Sequence, residues 1–454
     1  MENFYKNHLN LHSLTLFFFL APMKASYHTL GCKLNFSETA TIEAILSQKG
    51  IAKAMNGEIP DICLVNTCSV TANADKKARQ LIRSIASKYP RAAIFVTGCY
   101  AQLKPQEVAQ LPNVALVLGS NEKLRISQYL DSWIQNQAKC VATSPSLEIR
   151  EFMPSCERGD RTRYFLKVQD GCDYFCTYCT IPFARGRSRS GNIKQLTEMA
   201  SKVAEKGGKE IVITGVNIGT FGSDHGEDFF SLIKALDKVE GVERYRISSI
   251  EPNLLTDEIL QWIAEDSKKF MPHFHIPLQS GSDKVLKLMN RRYDTTLFSS
   301  RIEKIHNLIP DAFIGVDIIA GARGETPEEW ENSFRFSQSL DVAKFHAFPY
   351  SERQGTKALL LGESVPQNIR YNRVAALNAL SEEKNRLFIQ KNIGSRRKVL
   401  WEKPAGNNTM HGLTDNYIRV EAPLDLSLIN QVSEVVITQI KPGSSETALA
   451  NHTH

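Results

Sequence analysis

The chain lacks a hydrophobic run long enough to cross a membrane. The apolar run at residues 14–21 has eight residues, whereas a transmembrane helix needs about 20. The chain also lacks internal repeats of fixed period and low-complexity blocks. Its composition is that of an ordinary globular protein, which excludes collagen-like, coiled-coil and wholly disordered classes. We therefore expect a cytoplasmic protein with no membrane partner.

A strong excess of one charge is absent as well. Lysine and arginine number 55 against 49 acidic residues, so the formal net charge is +6 over 454 residues. This small excess indicates an anionic partner only weakly. The length corresponds to about three domains.

The N-terminus carries only a poor match to a lipoprotein signal peptide. Thr29 lies three residues before Cys32, where that signal has an aliphatic residue, and Pro22 interrupts the apolar run early. We expect residues 1–22 to be a disordered tail or an upstream start, with Met23 opening the folded part.

The nine cysteines are an odd number, so they cannot all form disulfides within the chain. We expect reduced thiols that serve as ligands. Cys63 alternates with apolar residues of a predicted strand, which favours core packing. Cys140 and Cys156 have no partner pattern, and we assign none of these three a role.

The first 140 residues alternate predicted strands and helices. The strands are residues 26–32, 61–66 and 92–97, and the helices are residues 37–50 and 76–89. Repeated strand-helix units predict a doubly wound α/β domain whose loops gather at the carboxyl ends of the strands. Cys32, Cys68 and Cys99 each follow one of these strands, so we expect them to converge.

A second strand-helix series begins near residue 163. Its predicted strands are residues 164–171, 210–216, 244–252, 273–280, 312–321 and 343–350. Six such units predict a partial TIM-like (β/α)6 barrel with its working end at the carboxyl ends of the strands. Beyond residue 393, short alternating runs predict a small all-β module. The predicted domains are residues 24–140, a linker at 141–157, the barrel at 158–388, the β module at 389–446 and a frayed tail at 447–454.

The sequence GCDYFCTYC places Cys172, Cys176 and Cys179 in a loop directly after the first barrel strand. Three thiolates can hold three irons of a 4Fe-4S cluster and leave the fourth iron open to another ligand. A structural zinc site is the alternative, and it would need a fourth protein ligand.

This motif resembles that of the radical S-adenosylmethionine superfamily. The resemblance implies that S-adenosylmethionine binds the open iron and that a reduced cluster cleaves it to a 5'-deoxyadenosyl radical. It further implies that an aromatic residue just before the third cysteine lies against the adenine of this cofactor and that residues at the strand ends contact its other parts. The candidates are Tyr178, Gly215, Ser249, Glu251 and Gln279.

The contexts TLGCKLN, VNTCSVT and TGCYAQ around Cys32, Cys68 and Cys99, followed by the barrel motif, closely resemble the methylthiotransferases. That family implies a second 4Fe-4S cluster on these three cysteines, which carries the sulfur that is methylated and inserted into a C–H bond. It also implies a C-terminal TRAM module, an OB-like barrel, for which GLTDNYIRV at residues 412–420 is the central motif. The implied partners are tRNA, a reducing electron donor protein and a sulfur source.

Within the family the chain most resembles the branch that acts on N6-threonylcarbamoyladenosine next to the tRNA anticodon. The supporting strings are TLGCKLN, VNTCSVT and ARGRSRS. Methylthiolation of isopentenyl-adenosine in tRNA, or of an aspartate in a small-subunit ribosomal protein, are alternatives. A non-catalytic RNA-binding protein with structural clusters or zinc is the alternative of another class.

Arginines flank the barrel motif and are candidate RNA ligands. They are Arg185, Arg187 and Arg189 in ARGRSRS, with Arg291 and Arg292 as a second patch. Guanidinium groups suit phosphate contacts and base stacking, whereas a solvated basic surface is the alternative.

The fifth barrel strand departs from the family pattern. It is followed by Ala322-Arg323 where the family commonly has phenylalanine-proline, although the tripeptide at residues 324–326 is retained. We expect the fold to survive, while the shape of this loop and any role of Arg323 stay open.

Overall fold

The structure is a computed structural model that describes residues 22–159, 161–406 and 408–452. The predicted N-terminal tail, residues 1–22, lies almost entirely outside the described residues. None of the helices in those ranges combines the length and the apolarity needed to cross a membrane.

The N-terminal domain is a six-stranded parallel sheet with helices on both faces. Its elements are β1 (Lys24–Thr29), α1 (Lys33–Gln48), β2 (Ala52–Lys53), β3 (Ile62–Thr67), α2 (Ala72–Lys88), β4 (Ala93–Gly98), α3 (Cys99–Leu103), α4 (Pro105–Ala109), β5 (Val114–Leu118), α5 (Ile126–Asn136) and β6 (Cys140–Ala142). The strands pair in the order β2-β1-β3-β4-β5-β6. This arrangement confirms the predicted doubly wound α/β domain.

Alternation along β3 explains why both faces of this sheet are covered. Cys63 and Val65 pack with α2 and α4 on one face, whereas Leu64 packs with α1 and α5 on the other. Because successive side chains of a strand point to opposite faces, a continuous apolar run is typical of a strand buried on both sides. Cys63 is fully buried in this core.

The central domain is the predicted partial barrel. Its elements are β7 (Ser155–Glu157), β8 (Tyr164–Lys167), β9 (Gln169–Asp170), α6 (Ile181–Arg185), β10 (Arg189–Ser190), α7 (Ile193–Glu205), β11 (Glu210–Thr214), α8 (Phe229–Asp237), β12 (Arg244–Ile247), α9 (Asp257–Glu265), β13 (His273–Gln279), α10 (Asp283–Leu288), α11 (Thr295–Leu308), β14 (Phe313–Ala320), α12 (Pro327–Ser339), β15 (Lys344–Pro349) and α13 (Gln367–Lys391).

Six parallel strands, β8, β11, β12, β13, β14 and β15, follow one another around the barrel. The pairing is continuous from β8 to β12 and from β13 to β15. The two sheets meet at single bridges, one of which joins Ser249 to His275. Outside this series, β7 pairs antiparallel with β8. The predicted fold class is therefore confirmed for this domain.

The C-terminal domain is a closed β-barrel of TRAM-like type. Its strands are β16 (Arg396–Gly406), β17 (Thr409–Thr414), β18 (Arg419–Pro423), β19 (Val432–Ile440) and β20 (Thr447–His452), in the order β16-β17-β18-β20-β19. The barrel closes through pairing of β16 with β19. The motif at residues 412–420 forms the last three residues of β17, the turn around Tyr417 and the first two residues of β18.

The frayed tail predicted from residue 447 is wrong for residues 447–452. These residues form β20, which pairs with both β18 and β19. Ala448 and Ala450 alternate into the barrel interior and are buried. Apolar residues occupy only positions 448–450 of this otherwise polar stretch, so the strand signal is weak and the sequence suggested a free end.

Two strands lie in or at the edge of the predicted linker. β6 extends to Ala142 and belongs to the N-terminal sheet, whereas β7 belongs to the barrel sheet. Helices α1 and α2 also begin about four residues before the predicted starts, at Lys33 and Ala72. The second of these starts is fixed by Thr71, whose side chain accepts a hydrogen bond from Ala74 N–H.

The C-terminal barrel is attached to the central barrel through buried arginines. Arg246 donates to the carbonyl oxygens of Thr414 (2.6 Å) and Asp415 (2.8 Å), and Arg244 donates to Thr414 at 2.9 Å. Both guanidiniums pair with buried Glu210 at 2.8 Å. Burial disfavours the charged form of Glu210, but these arginines outweigh it and lower the pKa to about 2.

We expect Glu210→Gln to lower the free energy of unfolding by about 3–5 kcal/mol, because it leaves buried guanidiniums without a counter-charge. Since the pKa of Glu210 is lower in the folded chain, its contribution is present above the ordinary value of 4.5 and is lost as pH falls toward about 2. Urea unfolding of the unaltered protein and the Glu210→Gln variant across this pH range measures the difference in free energy of unfolding. Glu243→Gln, which removes an exposed pair with Lys209, is the control. Equal effects of the two substitutions would contradict the prediction.

Candidate active site

The loop that follows β9 presents Cys172, Cys176 and Cys179 at the carboxyl end of the barrel strands. Its start is fixed by Gly171, which has a φ of +70°, and a Cβ atom there would lie 1.9 Å from the carbonyl oxygen of Arg187. Backbone N–H groups point at two of the thiols, from Tyr174 to Cys172 and from Ile181 to Cys179, both at 3.4 Å. Hydrogen bonds to the sulfur atoms are one of the features that set the reduction potential of an iron-sulfur cluster.

Arg291, on the barrel wall, contacts the remaining thiol of this loop, that of Cys176. It donates to Cys176 Sγ at 3.1 Å and to the hydroxyl of Tyr178 at 3.4 Å, and it pairs with Glu251. Its side chain is buried at this site. The prediction that Arg291 contacts RNA phosphate is therefore wrong, because its guanidinium faces the cysteine loop and not solvent.

The other predicted cofactor residues lie at the same end of the barrel. Gly215 directly follows β11, and a Cβ atom there would lie 2.9 Å from the carbonyl oxygen of Gln169, so the close approach of two strands itself requires glycine. Ser249 lies at the bridge between the two barrel sheets. Gln279 ends β13 at a bulge with a φ of +65°. Contacts of these residues with S-adenosylmethionine stay a prediction.

Cys32, Cys68 and Cys99 lie at the carboxyl edge of the N-terminal sheet. Cys68 directly follows β3, Cys99 directly follows β4, and Cys32 stands at the start of α1 after β1. The loop of Cys32 lies against that of Cys68, since a Cβ atom on Gly31 would lie 2.7 Å from the Cβ atom of Cys68. These three strands are neighbours in the sheet, so parallel pairing brings the three cysteines to one edge, and a cluster bound by them stays a prediction.

The thiols of each set influence one another. Burial, and then the neighbouring Cys99 and Cys32, raise the pKa of Cys68 to about 12. Burial is also the main cause that raises the pKa of Cys179 to about 12 and of Cys172 to about 11. A metal bound by these groups would therefore have to displace their protons.

The donor chemistry of both cysteine sets fits a 4Fe-4S cluster. All six cysteines are unpaired thiols, and three thiolates are the ligand number that leaves one iron open. Among the described residues, no three Cys, His, Asp or Glu side chains lie close enough together to bind one metal ion. A cluster differs from a single ion in that each thiolate binds a different iron.

A buried ionic network lies between the N-terminal sheet and the barrel, beside the N-terminal cysteines Cys32, Cys68 and Cys99. Glu38 of α1 pairs with Lys123 (2.7 Å), Lys167 (3.0 Å) and Arg185 (3.1 Å). Asp170 pairs with Lys167 (2.6 Å), Arg185 (3.0 Å) and Arg189 (3.3 Å). Four cations thus surround two carboxylates, and we call these six residues the interdomain network.

The interdomain network corrects the predicted RNA contacts of two arginines. Arg185 is 1% exposed and also donates to Asn35 Oδ1 at 2.6 Å, next to Cys32. Arg189 is 5% exposed and donates to the carbonyl oxygens of Glu151 and Arg185. Neither guanidinium is available to a phosphate. The alternation of small and basic residues in ARGRSRS is typical of a solvated surface, and the acidic partners lie far away in the sequence.

The two remaining arginines flank the cysteine loop at the surface. Arg187 pairs with Asp173 at 3.3 Å and lies over the ring of Phe175. Arg292 lies 3.8 Å from the ring centre of Tyr174 and donates to the carbonyl oxygen of Asp173. Both are exposed.

The departure at Ala322-Arg323 has a structural explanation. Ala322 is buried against Val285 and Met289. Arg323 donates to the carbonyl oxygens of Leu361 and Gly362 and pairs with Glu352, so it fixes the segment before α13.

A cavity of about 600 Å³ lies between the two cysteine sets. Residues from both domains line it, among them Gly31, Cys68, Val70, Asn73, Lys77, Tyr178, Cys179, Gln279, Asp317, Ile319 and Phe348. We call it the shared cavity. Arg353, in the loop after β15, donates to Ser69 and Asp75 beside it and joins the two domains there. Reasoning from the sequence missed this cavity, the interdomain network and Lys77.

Comparison with known proteins gives matches over both cysteine-bearing domains. Residues 24–119 match the Uncharacterized protein family UPF0004, and residues 166–337 match the Radical SAM superfamily. The radical S-adenosylmethionine methyltransferase TsrM from Kitasatospora setae superposes with a TM-score of 0.52 at 12% identity, covering 72% of each chain. At this identity the likeness shows the fold alone.

Relatives of similar length extend the match to nearly the whole chain. The chain is 35% identical over 422 residues to the threonylcarbamoyladenosine tRNA methylthiotransferase MtaB of Bacillus subtilis (strain 168), covering 91% of this chain and 93% of the relative. The protein of the same name from Thermotoga maritima is 35% identical, with 93% and 95% covered. The tRNA-2-methylthio-N(6)-dimethylallyladenosine synthase of Pelotomaculum thermopropionicum is 31% identical, with 90% and 93% covered. The chain therefore belongs to the methylthiotransferase family of the radical S-adenosylmethionine superfamily.

Proposed function

We propose that this methylthiotransferase acts on tRNA and converts N6-threonylcarbamoyladenosine next to the anticodon to its 2-methylthio derivative. The observation that carries the proposal is the shared cavity, which has Cys68 of one set and Cys179 of the other in its wall. An adenine held there would face both cysteine sets at once. The names of the relatives at 35% identity support the threonylcarbamoyl branch.

The residues divide into two ligand sets with different tasks. Cys172, Cys176 and Cys179 would hold the cluster that binds S-adenosylmethionine, and the three N-terminal cysteines would hold the auxiliary cluster. When bound, these groups supply the radical that removes hydrogen from C2 of the adenine and the methylated sulfur that replaces it. Two molecules of S-adenosylmethionine would be used per product.

The protein itself holds the cysteine loop and its cofactor in place. Arg291 contacts Cys176, Tyr178 and Glu251. These contacts hold the barrel cysteine loop against the barrel wall. Tyr178 borders the shared cavity on the same side. The hard chemistry belongs to the cofactors, whereas orientation and water exclusion belong to these side chains.

The tRNA would approach over the exposed aromatic and basic groups around the cysteine loop. Arg187 and Arg292 combine guanidinium groups with the neighbouring rings of Phe175 and Tyr174, which suits single-stranded bases and phosphates. A reducing protein partner and a sulfur source complete the proposed cycle, and we place it in the cytoplasm.

The test is nucleoside mass spectrometry of tRNA after reaction with the anaerobically reconstituted protein. We expect 2-methylthio-threonylcarbamoyladenosine from tRNA that carries threonylcarbamoyladenosine, and no product from tRNA that carries dimethylallyladenosine. The reverse preference would assign the chain to the other tRNA branch. Release of no 5'-deoxyadenosine under reducing conditions would overturn the enzymatic proposal and favour a structural RNA-binding protein.

A further inference from the structure

The shared cavity has an apolar side that suits a purine. Val70 and Phe348 line it and are 52% and 48% exposed, although both are large hydrophobic residues. Ile319 lies in the same wall. Apolar side chains left accessible at the wall of a cavity indicate a ligand that covers them.

The opposite side of the shared cavity is formed by the first turns of α2 and carries Lys77. Asn73 and Ala74 also line the cavity, and they lie four and three residues before Lys77, so the three share one face of the helix. Lys76 and Lys77 are both exposed, but Lys77 lines the cavity and Lys76 does not.

Lys77 has no counter-charge within the part of the chain that the structure describes. The acidic residue near it on α2, Asp75, is already paired with Arg353 (2.9 Å) and Lys104 (3.8 Å) and accepts from Ser69. Asp317, the other charged residue of the cavity wall, is paired with His275 at 2.9 Å. The cavity thus offers one cation without a protein partner.

The modified adenosines in the names of the relatives differ in the charge of the substituent on the adenine. The threonylcarbamoyl substituent carries a carboxylate at neutral pH, whereas the dimethylallyl substituent is an uncharged hydrocarbon. An ammonium group placed beside an apolar base pocket favours the first substituent, because a hydrogen bond to a charged group is stronger than one between neutral groups.

We infer that Lys77 binds the carboxylate of the threonylcarbamoyl substituent and so selects the substrate. This inference rests on the proposed function and adds the residue that distinguishes the two adenosines. Lys77 lies on the cavity wall away from the barrel strands, so it contacts the substituent and not the reacting carbon.

We expect Lys77→Met to raise the KM for RNA carrying threonylcarbamoyladenosine by about 10- to 100-fold, the range for losing a hydrogen bond to a charged group. Lys77→Arg should retain most of the affinity, because it keeps the charge. Lys76→Met is the matched control, since it removes an adjacent lysine of the same helix that does not line the cavity.

Binding of anticodon stem-loop RNAs to the cluster-loaded protein separates the possible ligands of Lys77. The RNAs carry threonylcarbamoyladenosine, dimethylallyladenosine or unmodified adenosine at the same position. We expect Lys77→Met to weaken binding of the first RNA alone. Equal weakening of all three RNAs would show that Lys77 contacts a phosphate, and no weakening would show that it contacts neither group, so either result overturns the inference. Failure of the proposed function would appear differently, as no methylthiolated product from the unaltered protein.

Discussion

Cys176→Ala is expected to eliminate release of 5'-deoxyadenosine from S-adenosylmethionine, whereas Cys32→Ala is expected to leave that release intact and eliminate methylthiolation. The reason is the division of the six cysteines between two domains. Cys176 lies in the barrel loop and accepts a hydrogen bond from Arg291, whereas Cys32 lies at the edge of the N-terminal sheet beside Cys68. Loss of one of three thiolates would remove the cluster proposed for that set and leave the cluster proposed for the other set in place.

Anaerobic reconstitution of each variant, followed by assays of iron content, 5'-deoxyadenosine and modified nucleoside, measures these effects. If each three-thiolate set holds one cluster, as proposed, each variant should bind about half of the iron of the unaltered protein. Cys140→Ala is the control, since Cys140 lies in β6 and belongs to neither set. Loss of cleavage in the Cys32 variant alone would reverse the assignment of the two clusters.

The placement of the six cysteines at the carboxyl ends of strands could be predicted, because it follows from local pattern and sheet geometry. Buried strands followed by Gly, Asn or Thr and a cysteine recur three times, and parallel pairing of β1, β3 and β4 brings those points to one edge. The barrel motif needs no long-range information at all, since its three cysteines lie within eight residues. The six barrel strands were likewise visible as short apolar runs.

The environment of the ligands could not be predicted, because it depends on contacts between distant segments. Arg185 and Glu38 are separated by 147 positions, and no local signal shows that the arginine of a basic run meets a buried carboxylate. The same holds for Arg291, whose partners Cys176 and Glu251 come from two other barrel loops. In the sequence Lys77 looks like any other surface lysine. Only the fold shows that it lines the shared cavity, together with residues of the loops after β3 and β15.

Glu38→Gln is expected to lower the free energy of unfolding by about 3–5 kcal/mol, the range for removing one partner of a buried ion pair. Glu38 is fully buried, and its loss leaves four cations of the interdomain network against Asp170 alone. Burial opposes the charge of Glu38, but Arg185, Lys123 and Lys167 outweigh it and hold the pKa of this carboxyl well below its usual range. Its contribution is therefore complete above the ordinary value of 4.5 and declines as pH falls below it.

Glu43→Gln is the matched control, because Glu43 lies on the same helix and makes a partly exposed pair with Lys53 at 3.0 Å, for which a loss of about 0–1 kcal/mol is expected. The iron content of the Glu38 variant gives a second readout. Arg185 contacts both Glu38 and Asn35 beside Cys32, so release of this guanidinium should disturb the N-terminal cysteine set first. We expect preferential loss of methylthiolation over S-adenosylmethionine cleavage in the folded variant. Parallel loss of both activities, or equal destabilisation by the two substitutions, would show that the interdomain network does not support the N-terminal set specifically.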